Sequence, residues 1–110
     1  MSDTDVPRII ILLNKELGMK PGKMVAQACH AMHSLARFTA IREYSACITL
    51  YVKDKQAMFD LRDALPEAAK RGQVIVDEGR TEIPPGSVTA LALLGRRKDL
   101  DPLTNGLELV

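Results

Sequence analysis

The chain has 110 residues, a length that suits one compact domain and is too short for two. Hydrophobic residues make up 46% and charged residues 26%, as in ordinary soluble globular domains. The net charge of +1 excludes a strongly basic protein that binds nucleic acid through its overall charge. No apolar run reaches the ~20 residues that a membrane span needs. Aromatic residues make up only 4%, so we predict an aliphatic core.

The first elements in chain order are a short tail, a buried strand and a helix. Residues 1–7 are predicted to form a flexible N-terminal tail, and residues 8–110 a single domain. Arg8–Asn14 is a continuous apolar run, which predicts a strand buried on both faces. Pro21 suits the first turn of a helix, which we expect to continue to about Ala40.

Strands and helices continue to alternate along the rest of the chain. Apolar and β-branched runs predict strands, apolar residues at helical spacing predict helices, and Gly and Pro mark their ends. The order β-α-β-α-β-β-α predicts an α/β fold: a four-stranded mixed sheet with helices packed on both faces, a three-layer sandwich whose first strands are parallel. The predicted elements are strands at Ala46–Val52, Gln73–Val76 and Ser87–Leu94, helices at Lys55–Leu65 and Arg97–Leu103, a further helical turn at Glu67–Arg71, and a docked tail at Leu107–Val110.

Two cysteines and two histidines raise the question of a disulfide or a metal site. Cys29 and Cys47 lie in apolar contexts without CxxC spacing, so we interpret them as reduced core thiols of a cytoplasmic protein. His30 and His33 are three residues apart on the predicted helix, but a zinc site needs more ligands than this pair supplies. We therefore expect no bound metal.

The start of the first long helix carries lysines where the backbone disfavours them. The partial positive charge of a helix N-terminus repels Lys20 and Lys23, and no acidic residue lies between Glu16 and Glu43 to compensate. A solvated helix face would explain this stretch, and so would a surface that faces an anion. Free backbone N–H groups at the same helix end add anion-binding capacity. Because residues that break a local rule are candidate functional sites, Lys23 is a candidate.

A second polar segment follows the predicted strand Gln73–Val76. Asp77 stands at the carboxyl end of that strand, where ligands gather in open α/β sheets, and a glycine turn then presents Thr81. A plain turn would also explain this segment. An Asp near a Lys can orient or activate water, however, and the Lys can stabilise a developing oxyanion. We predict that Lys23 and Asp77 meet across one pocket, with Thr81 or Thr89 within hydrogen-bonding reach.

The two segments together resemble the type 2, archaeal and eukaryotic, peptidyl-tRNA hydrolase family. The resemblance rests on GMKPGKMVAQACHA at Gly18–Ala31 and DEGRTEIPPGSVTALALLG at Asp77–Gly95, with fainter matches at RIIILLN and LTNGLELV. It implies a four-stranded mixed sheet between helices, and a hydrolase that cleaves the ester joining a stalled peptide to the 3′ ribose of tRNA in ribosome rescue. It also implies a cytoplasmic homodimer that uses no metal and no covalent cofactor.

Carried over residue by residue, the resemblance implies a catalytic set and a substrate-binding set. The catalytic set is Lys23, Asp77, Thr81 and Thr89. Asp77 would position or deprotonate water, directly or through a threonine, while Lys23 would steady the carboxylate and the oxyanion. The residues expected to contact the substrate or the tRNA backbone are Lys20, Gln27, His30, Arg80, Arg96, Arg97 and Lys98.

Two departures from the family pattern keep rival functions open. Glu78 stands where the family has a small residue, and Glu82 stands where it usually has Gln. These acids favour a non-catalytic paralogue, a binding or regulatory module that keeps the fold without turnover. A small-molecule esterase with the same Lys-Asp-Thr site is the third possibility. It would combine weak tRNA affinity with good turnover of a simple acyl ester.

Overall fold

A computed structural model describes residues 6–78 and 83–110 of the chain. Within these residues it contains three α-helices and a mixed sheet of five strands. The strands are β1 (Arg8–Asn14), β2 (Cys47–Val52), β3 (Lys70–Arg71), β4 (Ile75–Val76) and β5 (Val88–Gly95), and the helices are α1 (Pro21–Phe38), α2 (Lys55–Ala64) and α3 (Arg97–Thr104).

The sheet has the order β2-β1-β5-β3, and β4 also pairs with β5. The strands β1 and β2 are parallel, as the crossover through α1 predicts. The strand β5 is antiparallel to β1, β3 and β4. The strands β1, β2 and β4 therefore all run in one direction, and their carboxyl ends lie at the same edge of the sheet.

Two apolar layers hold the helices against the sheet, which confirms the predicted α/β fold with its mixed sheet. The sheet has five strands rather than the predicted four, because the short strand β3 also pairs with β5. Alternate residues of β1 and β5 point to opposite faces, because side chains alternate along a strand. One face packs against α1 through Ala31 and Leu35. The other face packs against α2 and α3 through Met58, Leu61 and Leu100. The core is aliphatic, as predicted, and each fully buried Leu or Ile contributes about 1.5–3 kcal/mol.

The region between α2 and β5 differs from the sequence prediction. The expected helical turn at Glu67–Arg71 is wrong, because Lys70–Arg71 forms β3 and pairs with Leu94 and Leu93 of β5. The alanines of this segment favour a helix, but pairing with the long central strand outweighs their local propensity. The expected strand Gln73–Val76 is shorter, since only Ile75–Val76 is strand. β4 is antiparallel to its neighbour β5 but runs in the same direction as β1.

The C-terminal tail covers the edge strand β2, as the apolar residues Leu107–Val110 predict. Backbone hydrogen bonds join the Tyr51 N–H to the Glu108 carbonyl and the Val110 N–H to the Thr49 carbonyl. The Lys15 ammonium also contacts the Glu108 carboxylate across the surface, and this contact raises the pKa of Lys15. An edge strand that is paired in this way is protected from pairing with another chain.

Both cysteines are free thiols, but neither lies in the core as predicted. Cys29 is on the outward face of α1, and Cys47 begins β2 at the edge of the sheet, so both are exposed. Partial burial raises the pKa of the Cys47 thiol, which keeps it protonated and weakly nucleophilic.

Part of the predicted N-terminal tail is held to the domain. Most of the predicted flexible tail, residues 1–5, lies outside the described part of the chain. The Pro7 carbonyl accepts a hydrogen bond from the Ser45 N–H at 2.8 Å, so this residue is held to the domain. None of the helices within residues 6–78 and 83–110 has the length and apolarity needed to cross a membrane.

Candidate functional site

The first turn of α1 lies at the sheet edge where β1 and β4 end and β5 begins. Lys20 is the residue before the helix, Pro21 is its first residue, and the first turn contains no acidic side chain. The approach to this turn is fixed by Asn14, which is buried at the end of β1. The Asn14 side chain donates to the Val88 carbonyl at 2.9 Å and accepts from the Glu16 N–H at 3.0 Å.

Lys23 and Asp77 meet at this edge, as predicted. The Lys23 ammonium donates a hydrogen bond to the Asp77 carboxylate. Their side chains are only 12% and 7% exposed, so little water screens the two charges from each other. The pair is hydrogen-bonded and lies at the wall of a groove, where it keeps some contact with water. It can therefore hold a water molecule against a carboxylate beside a fixed positive charge.

The backbone of Asp77 is held in place independently of its side chain. Its N–H donates to the Ser87 carbonyl at 2.9 Å, and its carbonyl accepts from the Gly86 N–H at 2.8 Å. Gly86 has a φ of 80°, a left-handed conformation that favours glycine and closes the turn after Pro84-Pro85. This turn is the one that the double proline and glycine predict, and it orients the carboxylate toward α1.

Gln27 and Thr89 form a buried link between the helix and the sheet. The Gln27 amide donates to the Thr89 hydroxyl at 2.8 Å, and that hydroxyl donates to the Ile75 carbonyl at 3.1 Å. Gln27 is 4% exposed and Thr89 is fully buried. Gln27 lies one helical turn after Lys23, so this link fixes the rotation of α1 that turns the lysine toward Asp77.

Lys23, Gln27 and Asp77 line a groove with a cavity volume of about 570 Å³. One wall is residues 73–78, which run from the end of β3 through β4. The predicted site includes Lys23, Gln27 and His30 of α1 but not Arg37, which lies on the same side of the helix near its end. Helical spacing is the signal that could have added it. The other wall, from α1, is Lys23, Gln27, His30, His33, Ser34 and Arg37.

Among the remaining predicted site residues that the structure describes, none lines this groove. Thr81 and Arg80 lie outside the described residues, as does Glu82. Lys20 is exposed beside the helix start, and Glu78 is exposed on the groove wall. Three predicted tRNA contacts follow β5 at the opposite edge of the sheet, since β5 runs antiparallel to β1. These are Arg96, Arg97 and Lys98.

Arg97 also has a local structural partner. Its guanidinium lies 3.6 Å from the Asp101 carboxylate one helical turn later, and the Arg8 guanidinium lies 3.8 Å from the same carboxylate. The contact of Arg97 is therefore within α3, whereas the Arg8 contact joins β1 to α3. The contact of Arg97 with tRNA stays a prediction.

We expect the predicted hydrolysis to survive exhaustive chelation, because His30 and His33 line the groove without a third metal ligand close to them among the described residues. Within residues 6–78 and 83–110, no three His, Cys, Asp or Glu side chains lie close enough to hold one ion. The measurement is turnover before and after dialysis against EDTA. Loss of activity with EDTA and its recovery with zinc would contradict the expectation.

Comparison with known proteins identifies the family. The family model described as "Peptidyl-tRNA hydrolase PTH2" matches residues 8–110, which is nearly the whole chain. The chain belongs to this family. The match includes both segments that carry the groove, the start of α1 and the turn after β4.

Curated members of the peptidyl-tRNA hydrolase family from eukaryotes and archaea are similar over most of the chain. A peptidyl-tRNA hydrolase 2 from Saccharomyces cerevisiae is 34% identical over 96% of the chain and 60% of its own length. A probable peptidyl-tRNA hydrolase 2 from Dictyostelium discoideum is 33% identical over 91% of the chain and 53% of its own length. A peptidyl-tRNA hydrolase from Methanocaldococcus jannaschii is 28% identical over 94% of the chain and 99% of its own length.

The chain thus spans little more than half the length of these two eukaryotic relatives. A solved structure from Agrobacterium tumefaciens, of a protein of unknown function, superimposes with a TM-score of 0.64 at 13% identity. The superposition covers 100% of this chain and 99% of the other. At this identity the likeness supports the fold alone.

Proposed function

We propose that this family member hydrolyses the ester bond between a peptide, or an N-acyl amino acid, and the 3′ ribose of tRNA. The observation that carries the proposal is the contact between Lys23 and Asp77 inside the groove. Membership of the family and the names of the relatives support the same reaction. The site needs no cofactor for it, because water is the nucleophile and the side chains supply acid-base and electrostatic catalysis.

The two charged groups would divide the reaction between them. Asp77 takes a proton from a bound water while the water oxygen attacks the ester carbonyl carbon. The carbonyl oxygen becomes an oxyanion, which the Lys23 ammonium stabilises. The bond from carbon to the ribose oxygen then breaks, and the proton passes from Asp77 to that oxygen. The products are a free tRNA hydroxyl and a peptide carboxylic acid, so atoms and charge balance.

Thr89 takes a positioning role in this proposal. Its hydroxyl already accepts from Gln27 and donates to the Ile75 carbonyl, so its one proton is committed within the fold. A proton relay through Thr89 would require that bond to break. Gln27, which is buried, likewise serves to orient α1 rather than to touch the substrate.

The decisive experiment measures release of N-acylated amino acid from purified N-acyl-aminoacyl-tRNA by the purified chain. Turnover that depends on Lys23 and Asp77 supports the proposal. Binding of tRNA without turnover would instead support a non-catalytic module, and turnover of a simple acyl ester with weak tRNA affinity would support a small-molecule esterase.

We expect tRNA binding to weaken steeply as salt concentration rises. The exposed Lys20 precedes α1, and the first turn of the helix contains no acidic residue, so the surface should displace counterions from phosphates. Each neutralised phosphate should contribute about 0.7–0.9 to the slope of log affinity against log salt. Fluorescence anisotropy of labelled tRNA over a salt series gives the slope, and a flat response would contradict the electrostatic role.

The proposal also includes a cytoplasmic homodimer, which the family resemblance implies. Sedimentation analysis of the purified chain tests the dimer. A monomer at micromolar concentration would contradict it.

A further inference from the structure

The groove continues well beyond the reaction centre, and its far part has no role in the chemistry above. We call this part the α1 arm and define it by His30, His33, Arg37 and Gln73. Arg37 follows Lys23 by about four helical turns, which is about 21 Å along α1 at a rise of about 1.5 Å per residue. All four side chains that define the arm line the groove and are exposed.

The charges along the groove are unevenly distributed. Asp77 and Glu78, the carboxylates among its lining residues, lie at the Lys23 end. The wall opposite the arm is formed by residues 73–76, which are uncharged, and α1 itself contains no acidic residue. Arg37 has no carboxylate partner within the described residues, and its guanidinium lies 5.8 Å from the centre of the Phe38 ring. The arm therefore suits an anion.

We infer that the α1 arm receives the single-stranded 3′ end of the RNA, whose backbone leads away from the ester toward Arg37. This inference rests on the proposed function, because it assigns a direction to the same substrate. Arg37 would contact a phosphate through its guanidinium. His30 and His33 would offer flat rings on which bases stack, the usual way in which proteins hold unpaired nucleotides.

The dimensions of the arm fit such a ligand. Stacked nucleotides rise about 3.4 Å each, so about 21 Å has room for about six stacked nucleotides, and for fewer in an extended strand. Stacking and phosphate contacts do not read base sequence. The arm would therefore accept every tRNA, since the single-stranded end is a common feature of them. The peptide would extend from the ester in another direction.

The test compares binding of two deacylated RNAs, intact tRNA and the same tRNA without its single-stranded 3′ end. Wild-type protein should bind the shortened RNA about tenfold more weakly. Arg37→Ala should lose about tenfold in affinity for intact tRNA and lose nothing further on the shortened RNA. Its salt slope on intact tRNA should fall by about 0.7–0.9, the value for one lost phosphate contact.

Arg42→Ala is the matched control, because Arg42 is exposed and lies past the end of α1, away from the lining of the groove. It should bind both RNAs like wild type. Equal losses on both RNAs for Arg37→Ala, or equal behaviour of Arg37→Ala and Arg42→Ala, would overturn the inference. A third contrary outcome is an Arg37→Ala defect that grows with peptide length on peptidyl esters of adenosine, since the arm would then hold peptide.

These measurements separate the inference from the proposed function. Binding of deacylated RNA needs no turnover. Binding of the 3′ end through Arg37 without ester hydrolysis would therefore contradict the proposed hydrolysis alone. Conversely, hydrolysis that depends on Lys23 and Asp77 while Arg37→Ala behaves as wild type would contradict the α1 arm alone.

Discussion

Replacing Lys23 or Asp77 by alanine should lower turnover of N-acyl-aminoacyl-tRNA by about 10²-fold or more. This is the usual effect of losing an acid-base group or an oxyanion-stabilising charge. The two side chains are in contact and would act on one step. The double variant should therefore be little worse than the worse single variant. Initial rates at saturating substrate give the turnover of each variant.

The melting temperature of each variant should be measured beside its rate, because the ion pair is largely buried. A site in open solvent would leave the melting temperature almost unchanged, but Asp77 is only 6% exposed. Removing one partner of a fully buried ion pair costs about 3–5 kcal/mol, and this pair, at a groove wall, should cost less. The double variant should recover part of the loss, since it leaves no unpaired charge.

Two further variants sharpen the result. Asp77→Asn keeps the size of the side chain and one oxygen that can accept from Lys23, but it cannot take a proton, so it should lose turnover nearly as fully as Asp77→Ala. Lys55→Ala removes an exposed lysine at the start of α2 and should behave like wild type. A folded Lys23→Ala or Asp77→Ala protein with near-normal turnover would remove that residue from the mechanism.

The central strands and the meeting of Lys23 with Asp77 could be predicted because strong local signals define them. A continuous apolar run is consistent with a strand buried on both faces, and Pro21 marks the first turn of α1. Because β1 and β4 run in the same direction, the start of α1, which follows β1, and the end of β4 lie at one edge of the sheet. Asp77 reached that edge even though its strand is antiparallel to its neighbour.

The missed features depend on contacts between distant segments. Lys70–Arg71 becomes strand only because β5 is long enough to pair with it, and nothing local signals this. The burial of Gln27 depends on its hydrogen bond with Thr89, which is far away in sequence, and its contact with the substrate stays a prediction. The cysteines were placed in the core from their apolar neighbours. Orientation around α1 and position at the sheet edge expose them instead.

The second large effect is expected from Gly72→Ala, which tests how closely the sheet approaches α1. A Cβ atom at this position would lie 2.8 Å from the Leu35 backbone nitrogen and 3.1 Å from the Leu35 Cα. Backbone atoms cannot turn aside as a flexible side chain can, so α1 or the 72–73 segment must move. Gly72 is also tied to β5 by its N–H, which donates to the Ala92 carbonyl at 3.0 Å.

Gly72→Ala should therefore lower the free energy of unfolding by about 1–3 kcal/mol, the usual cost of overpacking a core. For a domain of this size that corresponds to a fall in melting temperature of about 4–8 °C per kcal/mol. Turnover should fall too, because a displaced α1 carries Lys23 away from Asp77. Thermal unfolding followed by circular dichroism measures the stability. Initial rates measured below the melting temperature show the loss of turnover.

Gly22→Ala is the matched control, since it makes the same chemical change in the first turn of α1, where an added Cβ meets nothing within 4 Å. Alanine favours a helix over glycine by up to about 1 kcal/mol, so this variant should be unchanged or slightly more stable. If Gly72→Ala and Gly22→Ala have the same melting temperature, α1 is free to move away from the sheet. The groove between α1 and residues 73–78 would then be adjustable rather than fixed by backbone contact.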